Sequence, residues 1–447
     1  MDQDTPAPIS TKRPSRRYSW FVVLVLSMAG IVSFIDRQII NLLVEPIKAD
    51  LGVTDVQISL LQGISFALFY AILAIPLAWI ADRHNRKMVI LLGLICWSAA
   101  TFASGLASVF AFLFLARMLI GIGEATLSPA GLSIISDYFP KEKLPGPVSV
   151  FTGSSFVGSG LALTLGGYVY SYFASSGEVS LPFGTFAPWQ VTFMCVAMLS
   201  VPTFILLLLV KEPVRQNDGI AVAADEIRPT YEAVGFIAQN TRVLLPLFFG
   251  FSCFAAAQFG INAWAPTYFI RVHGWSPLEV GQSFGPVVML AGLSGVVAGG
   301  FLCERMLAHG KTDATLRLPI YAIVLALPFT IGFALSNSAT IALILLTIVL
   351  FLGTIPFGAG VASFPLITPN QMRAQVMAVY LLIANLFGYG AGPIFIAWLT
   401  DHLFGDPALI NLSLAIAPPI VMVAGIVVLL CAIAPYRRMV TSMDENR

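Results

Sequence analysis

Long apolar runs recur from one end of this chain to the other, and they leave few folds open. Twelve segments can be read, roughly 18–44, 57–81, 88–106, 109–138, 145–174, 189–210, 243–270, 278–303, 316–335, 339–367, 374–400 and 409–435. Each is close to or longer than the roughly 20 apolar residues an α-helix needs to cross a bilayer. Within hydrocarbon every backbone N–H and C=O must find a partner inside the protein, so only helices and closed barrels span it. Barrel strands alternate apolar and polar residues over about 10 positions, and no such segments occur here. Charged residues make up only 11% of the chain, against about 25% in soluble proteins. The expected fold is an all-α membrane protein with twelve transmembrane helices, its partner the lipid bilayer.

The net charge of +1 says little, but its distribution sets the topology. With the N-terminus in the cytoplasm, 20 of the 24 Lys and Arg fall on the cytoplasmic side. Lys48 and Arg271 lie on the other side, while Arg37 and Arg117 lie inside apolar segments. This is the positive-inside asymmetry, and it places both termini in the cytoplasm. The five cysteines fall in five different segments and none is spaced with a histidine, so neither a disulfide framework nor a metal site is supported. No cofactor and no nucleic-acid partner are expected.

The longest polar stretch, 211–242, divides the chain. The expected organisation is a cytoplasmic tail (1–17), a six-helix bundle (18–210), a central cytoplasmic loop (211–242), a second six-helix bundle (243–435) and a tail (436–447). Thr230 to Asn240 reads equally well as a short helix on the membrane surface or as solvated linker. An internal repeat supports the division. Aligning Asp82-Arg83 of "AWIADRHNRK" (78–87) with Glu304-Arg305 of "GFLCERMLAHGK" (300–311) gives an offset of 222, which also superposes the starts of helices one and seven. Two pseudo-symmetric bundles follow.

Charges inside the apolar segments are the strongest functional signal. A charged side chain at the bilayer centre costs at least ~3 kcal/mol and marks a cavity or a coupling site. Four stand out: Asp36 and Arg37 on helix one, Arg117 and Glu124 on helix four. Helix rise places Asp36 and Arg117 level, each about 13 Å below the outer end of its helix, with Glu124 on the face of Arg117 and about 10 Å nearer the cytoplasm. Arg keeps its proton and offers a planar fork suited to carboxylate or phosphate, so Arg37 and Arg117 are candidate anchors for an anion. A carboxyl held between apolar surroundings and a neighbouring Arg can change protonation as that partner moves, which makes Asp36 and Glu124 candidates for proton coupling. A static Asp36–Arg117 pair locking the two helices is the bland alternative. The aligned stretches of the second half carry neutral groups instead: Gln258, which the offset sets against Asp36, Asn262 and Asn385. Among the aromatic residues, Phe259, Trp264 and Tyr380 are candidates for the apolar part of a substrate.

These motifs resemble those of the major facilitator superfamily. "AWIADRHNRK" is similar to its loop-two signature G-x-L-x-D-R-x-G-R-K, with Ala78 and Asn85 in place of the glycines, and "RMLIGIGEA" (117–125) to its helix-four pattern. Within the superfamily, "FIDRQ" and "GIGEATLSPAGLSIISDYFP" are most similar to bacterial spinster-like transporters, with organic-anion symporters a close second. The resemblance implies alternating access, a bacterial inner-membrane location and a monomer. It also implies a latch on the cytoplasmic face: Asp82, Arg83 and Arg86 toward the start of helix eleven near Arg373–Met377, and Glu304 with Arg305 toward helix five. The helix-five signature of drug antiporters is incomplete, since Leu163 stands where its proline belongs.

The absence of a G-x-x-x-x-G-K-[ST] loop argues against a primary pump. His84, His273, His309 and His402 all sit at helix ends or in loops, which argues against an intramembrane enzyme. The expectation is a proton-coupled secondary transporter for a small or amphipathic, lysolipid-like organic anion. A proton symporter for sugar acids or other carboxylates is the alternative, ahead of a multidrug antiporter or a non-transporting ligand sensor.

Overall fold

The computed structural model describes residues 15–140, 143–213, 231–369 and 372–445. Among these, twelve helical spans are long and apolar enough to cross a membrane. Spans one to six are Arg16–Asn41, Asp55–Ala74, Arg86–Ser104, Phe110–Tyr138, Pro145–Ala174 and Pro188–Leu209. Spans seven to twelve are Thr241–His273, Pro277–Ala308, Ala314–Ala334, Ala339–Ile367, Gln375–Phe404 and Pro407–Met443. The first six pack into one bundle and the last six into another, and the bundles meet mainly along spans five and eight and along spans two and eleven. Among the described residues the one sheet is a hairpin, Val179–Leu181 with Gly184–Phe186, between spans five and six.

Local chemistry sets where the helices start. Ser276 and Glu279 form a capping box at the head of span eight, as Thr54 and Gln57 do at span two, and Asn85 accepts from the Met88 N–H at span three. The central segment carries a helix at Tyr231–Gln239; the rest of the expected loop, 214–230, lies outside the described residues. The last helix, Ile410–Glu445, runs on through most of the expected C-terminal tail, because 436–445 holds no Gly or Pro to stop it.

Several spans are broken where they approach the middle of the protein. In span one the α-helix Arg16–Gln38 tightens into the 3-10 turn Ile39–Asn41, and a short helix, Val44–Leu51, follows. Span two pauses at Gly63 between Asp55–Gln62 and Ile64–Arg83. A Cβ at Gly63 would lie 1.8 Å from the carbonyl oxygen of Tyr389, so only glycine lets spans two and eleven touch there. Span eleven carries a π-helical stretch, Leu386–Ala391, between Arg373–Asn385 and Gly392–Trp398. The extra residue per turn comes where the sequence "GYGAGP" supplies small residues and Pro393, which removes a donor.

Among the described residues, a set of hydrogen bonds and ion pairs ties the bundles together at the face opposite the loop from Asp82 to Lys87. Arg271 of span seven places its fork on both oxygens of Asp55 (2.6 and 2.8 Å) and a third bond on Glu45 (2.8 Å), while Lys48 also pairs with Asp55. The Val56 N–H donates to Asp401 (2.8 Å), the Ser59 hydroxyl to the Pro393 carbonyl (3.1 Å), and the Gln62 amide to the Ala263 carbonyl (3.2 Å).

Candidate transport site

The break in span one creates the site. The last turn of a helix leaves carbonyl oxygens without regular intrahelical partners. Arg117 of span four supplies donors: Nη1 to the Asp36 carbonyl (2.9 Å), Nη2 to the Arg37 carbonyl (2.9 Å) and Nε to the Leu61 carbonyl (3.2 Å). Arg117 is fully buried and its fork is spent on the backbone at the ends of two broken helices. The bland alternative, a static side-chain pair between Asp36 and Arg117, is not what the fork of Arg117 makes. The level placement of the two residues holds, but Arg117 meets the main chain of Asp36 and not its carboxylate.

The ion pair forms elsewhere. Arg37 donates to Glu124 Oε2 through Nη2 (2.5 Å) and Nε (3.2 Å). The spacing argument set Glu124 some 10 Å nearer the cytoplasm, and the long side chain of Arg37, the residue next to Asp36, nevertheless reaches it. Around the guanidinium stand the rings of Phe66 (4.0 Å to the centroid), Phe34 (4.5 Å), Tyr70 (5.5 Å) and Tyr389 (5.6 Å). Such faces attract a cation, most strongly when it is desolvated. Glu124 Oε1 and both carboxylate oxygens of Asp36 have no hydrogen-bond partner among the described residues. The Thr101 hydroxyl lies beside Asp36 but donates to the Trp97 carbonyl (2.9 Å). Polar atoms buried in this way are uncommon, and each calls for an explanation.

Next to this pair lies a cavity of about 410 Å3 between the bundles, lined from spans one, five, seven, eight, ten and eleven. Phe34, Phe156, Leu163, Val288 and Phe357 make most of its wall apolar, and its polar groups are the carboxamides of Gln38, Asn41, Gln258 and Asn262 with the hydroxyls of Thr152, Ser155, Ser159 and Thr354. No ionised side chain is among its lining residues. Arg37 borders a much smaller pocket that shares Gln38, Asn41, Phe259 and Tyr389 with the large one. The rings of Phe259 and Tyr389 stack at 3.8 Å and 22°, and this stack belongs to the walls of both.

A family model for the Major Facilitator Superfamily matches residues 26–393. The chain belongs to this superfamily. An "MFS-type efflux pump" of Mycolicibacterium smegmatis is 25% identical over 97% of this chain and 97% of its own length. Protein spinster of Drosophila melanogaster is 26% identical over 90% of this chain and 66% of its own. A probable galactarate/D-glucarate transporter, GarP of Escherichia coli, is 22% identical over 88% and 91%. Among solved structures, a bacterial homologue of the human lysosomal transporter Spinster, inward-facing and unoccupied, superposes with a TM-score of 0.80 at 27% identity, covering 97% of this chain and 99% of that one. The protein is thus a multi-pass transporter of the superfamily, Spinster-like in sequence and fold, and not an enzyme.

Superfamily membership gives a context for the remaining candidates. Gln258, Asn262 and Phe259 line the cavity. Trp264 and Tyr380 do not. Trp264 is fully buried and donates to the Pro393 carbonyl (3.0 Å) at the face where the bundles are tied, and Tyr380 packs on Phe364 (4.5 Å) inside the second bundle. Asn385 is half-buried outside the cavity lining. Of the latch group, Asp82, Arg83, Glu304 and Arg305 are exposed, with Arg83 lying over the Trp79 ring (4.0 Å). Arg86 turns inward: it binds Asp137 (2.5 Å) and Ser133 (2.8 Å) of the first bundle and Glu212 (2.8 Å) at the start of the central segment. Sequence reasoning passed over Gln38, Asn41 and Tyr389. The first two carried a usable signal, two carboxamides within five residues of Asp36 on an apolar helix. Tyr389 stood in a glycine-rich stretch read only as close packing.

Proposed function

We propose that the protein is a proton-coupled secondary transporter for an amphipathic organic anion, working by alternating access with both termini in the cytoplasm. The buried Arg37–Glu124 pair beside a largely apolar cavity carries this reading. Arg37 keeps its charge throughout. An anionic group that reaches it competes with Glu124, and the displaced carboxylate, left in apolar surroundings, takes up a proton. Anion binding and proton binding are then linked events. Asp36, with two unbonded oxygens, is the second candidate proton site. Arg117 is a positioning residue that fixes the ends of the broken helices on which Asp36 and Arg37 ride. The apolar wall and the volume of the cavity suit a lysolipid-like body.

Proton symport of sugar acids is the second reading. The four carboxamides in the cavity wall favour it, as does the likeness to the galactarate/D-glucarate transporter. The test is purified protein in liposomes with a pH dye inside, given pooled sugar acids and dicarboxylates in one arm and lysolipids in the other. Proton movement with lysolipids alone, lost in Arg37→Ala and absent from empty liposomes, is the expected result. Movement with the sugar-acid pool alone selects the second reading. Silence in both arms removes proton coupling. Glu124→Gln is expected to abolish proton-driven uptake and to leave substrate exchange largely intact, and loss of both would overturn its coupling role.

A further inference from the structure

Arg37 can hold only the acidic part of a substrate, and it lines the small pocket and not the main cavity, with Phe259 and Tyr389 in the walls of both. The polar groups that the cavity itself offers are neutral. Gln258 and Asn262 lie four residues apart on span seven, hence on one face of the helix, and both line the cavity. Gln258 is 3% exposed, and its Oε1, like Asn262 Oδ1, has no hydrogen-bond partner among the described residues. Gly353 of span ten makes the room for it: a Cβ there would lie 2.0 Å from Gln258 Oε1. By contrast, the facing carboxamides bond each other, Asn41 Nδ2 to Gln38 Oε1 at 2.5 Å. Gln258 thus lines the cavity with a carboxamide whose oxygen is buried in the Gly353 slot without a partner among the described residues, an arrangement that needs an explanation.

We infer that Gln258, with Asn262 beside it, forms a subsite for an uncharged hydrogen-bonding group of the substrate, separate from the anion anchor. The substrate is then an amphipathic anion that carries a hydroxyl close to its acidic group. Gln258 is the residue that distinguishes it from the same molecule without the hydroxyl. This rests on the amphipathic-anion reading above. Sites built to hydrogen-bond a hydroxyl reject the analogue lacking it far more strongly than apolar pockets reject a missing methylene.

The test uses two radiolabelled probes that differ only in that hydroxyl: a myristoyl lysophosphatidic acid, and its analogue with propanediol in place of glycerol. Equilibrium binding to the purified full-length protein in detergent is measured for wild type, Gln258→Met, Gly353→Ala and Arg37→Ala. Wild type is expected to prefer the hydroxylated probe about tenfold or more. Gln258→Met is expected to bind the deoxy probe as wild type does, which shows that it is folded, and to lose the preference. Gly353→Ala is expected to lose the preference as well, because its methyl displaces the amide. Arg37→Ala is expected to lose both probes. If wild type binds both equally and Arg37→Ala still loses both, the subsite is overturned and the anion reading stands. A preference that survives in both Gln258→Met and Gly353→Ala overturns it too. If wild type binds neither probe, the lipid-like reading fails and the subsite falls with it.

Discussion

The two halves share an architecture and divide the chemistry. The offset of 222 sets Asp36 against Gln258 and Arg37 against Phe259. Asp36, Arg37, Arg117 and Glu124, the ionisable groups around the site, all come from the first half, and every bond they make to one another or to backbone stays within it. The second half contributes carboxamides and the aromatic stack. Yet the equivalent positions share one trait: Asp36 and Gln258 are both buried, with side-chain oxygens that no donor satisfies. Titratable groups kept in one rigid bundle hold their geometry while the bundles move. Neutral groups on the other bundle can part from them without stranding a charge.

The first way to break this comparison is to leave a charge stranded deliberately. Glu124→Ala removes the partner of a cation that is only 8% exposed. Breaking a buried pair from one side costs about 3–5 kcal/mol, so this variant is expected to be the least stable, as measured by denaturation in detergent. Joining it with Arg37→Met is expected to restore part of the stability and none of the transport, since no uncompensated buried charge then remains. An unchanged denaturation midpoint in Glu124→Ala would mean that the pair is solvated and would undo the argument for a dry coupling site.

Asp36→Asn sharpens the comparison by giving the first half what the second has at the equivalent position. Neither carboxylate oxygen has a hydrogen-bond partner among the described residues, so stability is expected to stay within about 1 kcal/mol of wild type. Proton movement per substrate, read with the internal pH dye and a labelled substrate together, is expected to fall, with exchange retained. If the ratio is unchanged, Asp36 is a structural acid and Glu124 alone carries the coupling.

How much of this could be read from the sequence differs between the same two kinds of feature. The spans were legible because length and hydropathy alone decide whether a helix crosses a bilayer. Asp36, Arg37, Arg117 and Glu124 were legible because charge at that depth is costly. Their pairing was not. It depends on the tightening of span one at Ile39–Asn41, which turns two carbonyls toward Arg117 and leaves Arg37 free for Glu124, and no spacing rule records a helix break of one turn. Neutral polar and aromatic residues carry no such penalty, so Tyr389 passed as packing while Trp264 and Tyr380 passed as lining.

Trp264 gives the finest test, because composition assigned it to the substrate and geometry assigns it to the face where the bundles are tied. Its indole N–H donates to the Pro393 carbonyl (3.0 Å) next to the point where Ser59 of the first half donates to the same oxygen (3.1 Å). Trp264→Phe keeps a ring in the buried site and deletes one hydrogen bond, worth about 1 kcal/mol. Ser59 still satisfies the carbonyl, so the loss is expected at the low end of that range. The expected signature is a small fall in the denaturation midpoint, with substrate affinity within about twofold of wild type, since 1.4 kcal/mol is needed for a tenfold change. A tenfold loss of affinity with no change in stability would place Trp264 on the substrate after all. It would mean that the cavity extends past Ala263 in another state of the cycle, and that the second half contributes more to recognition than its carboxamides.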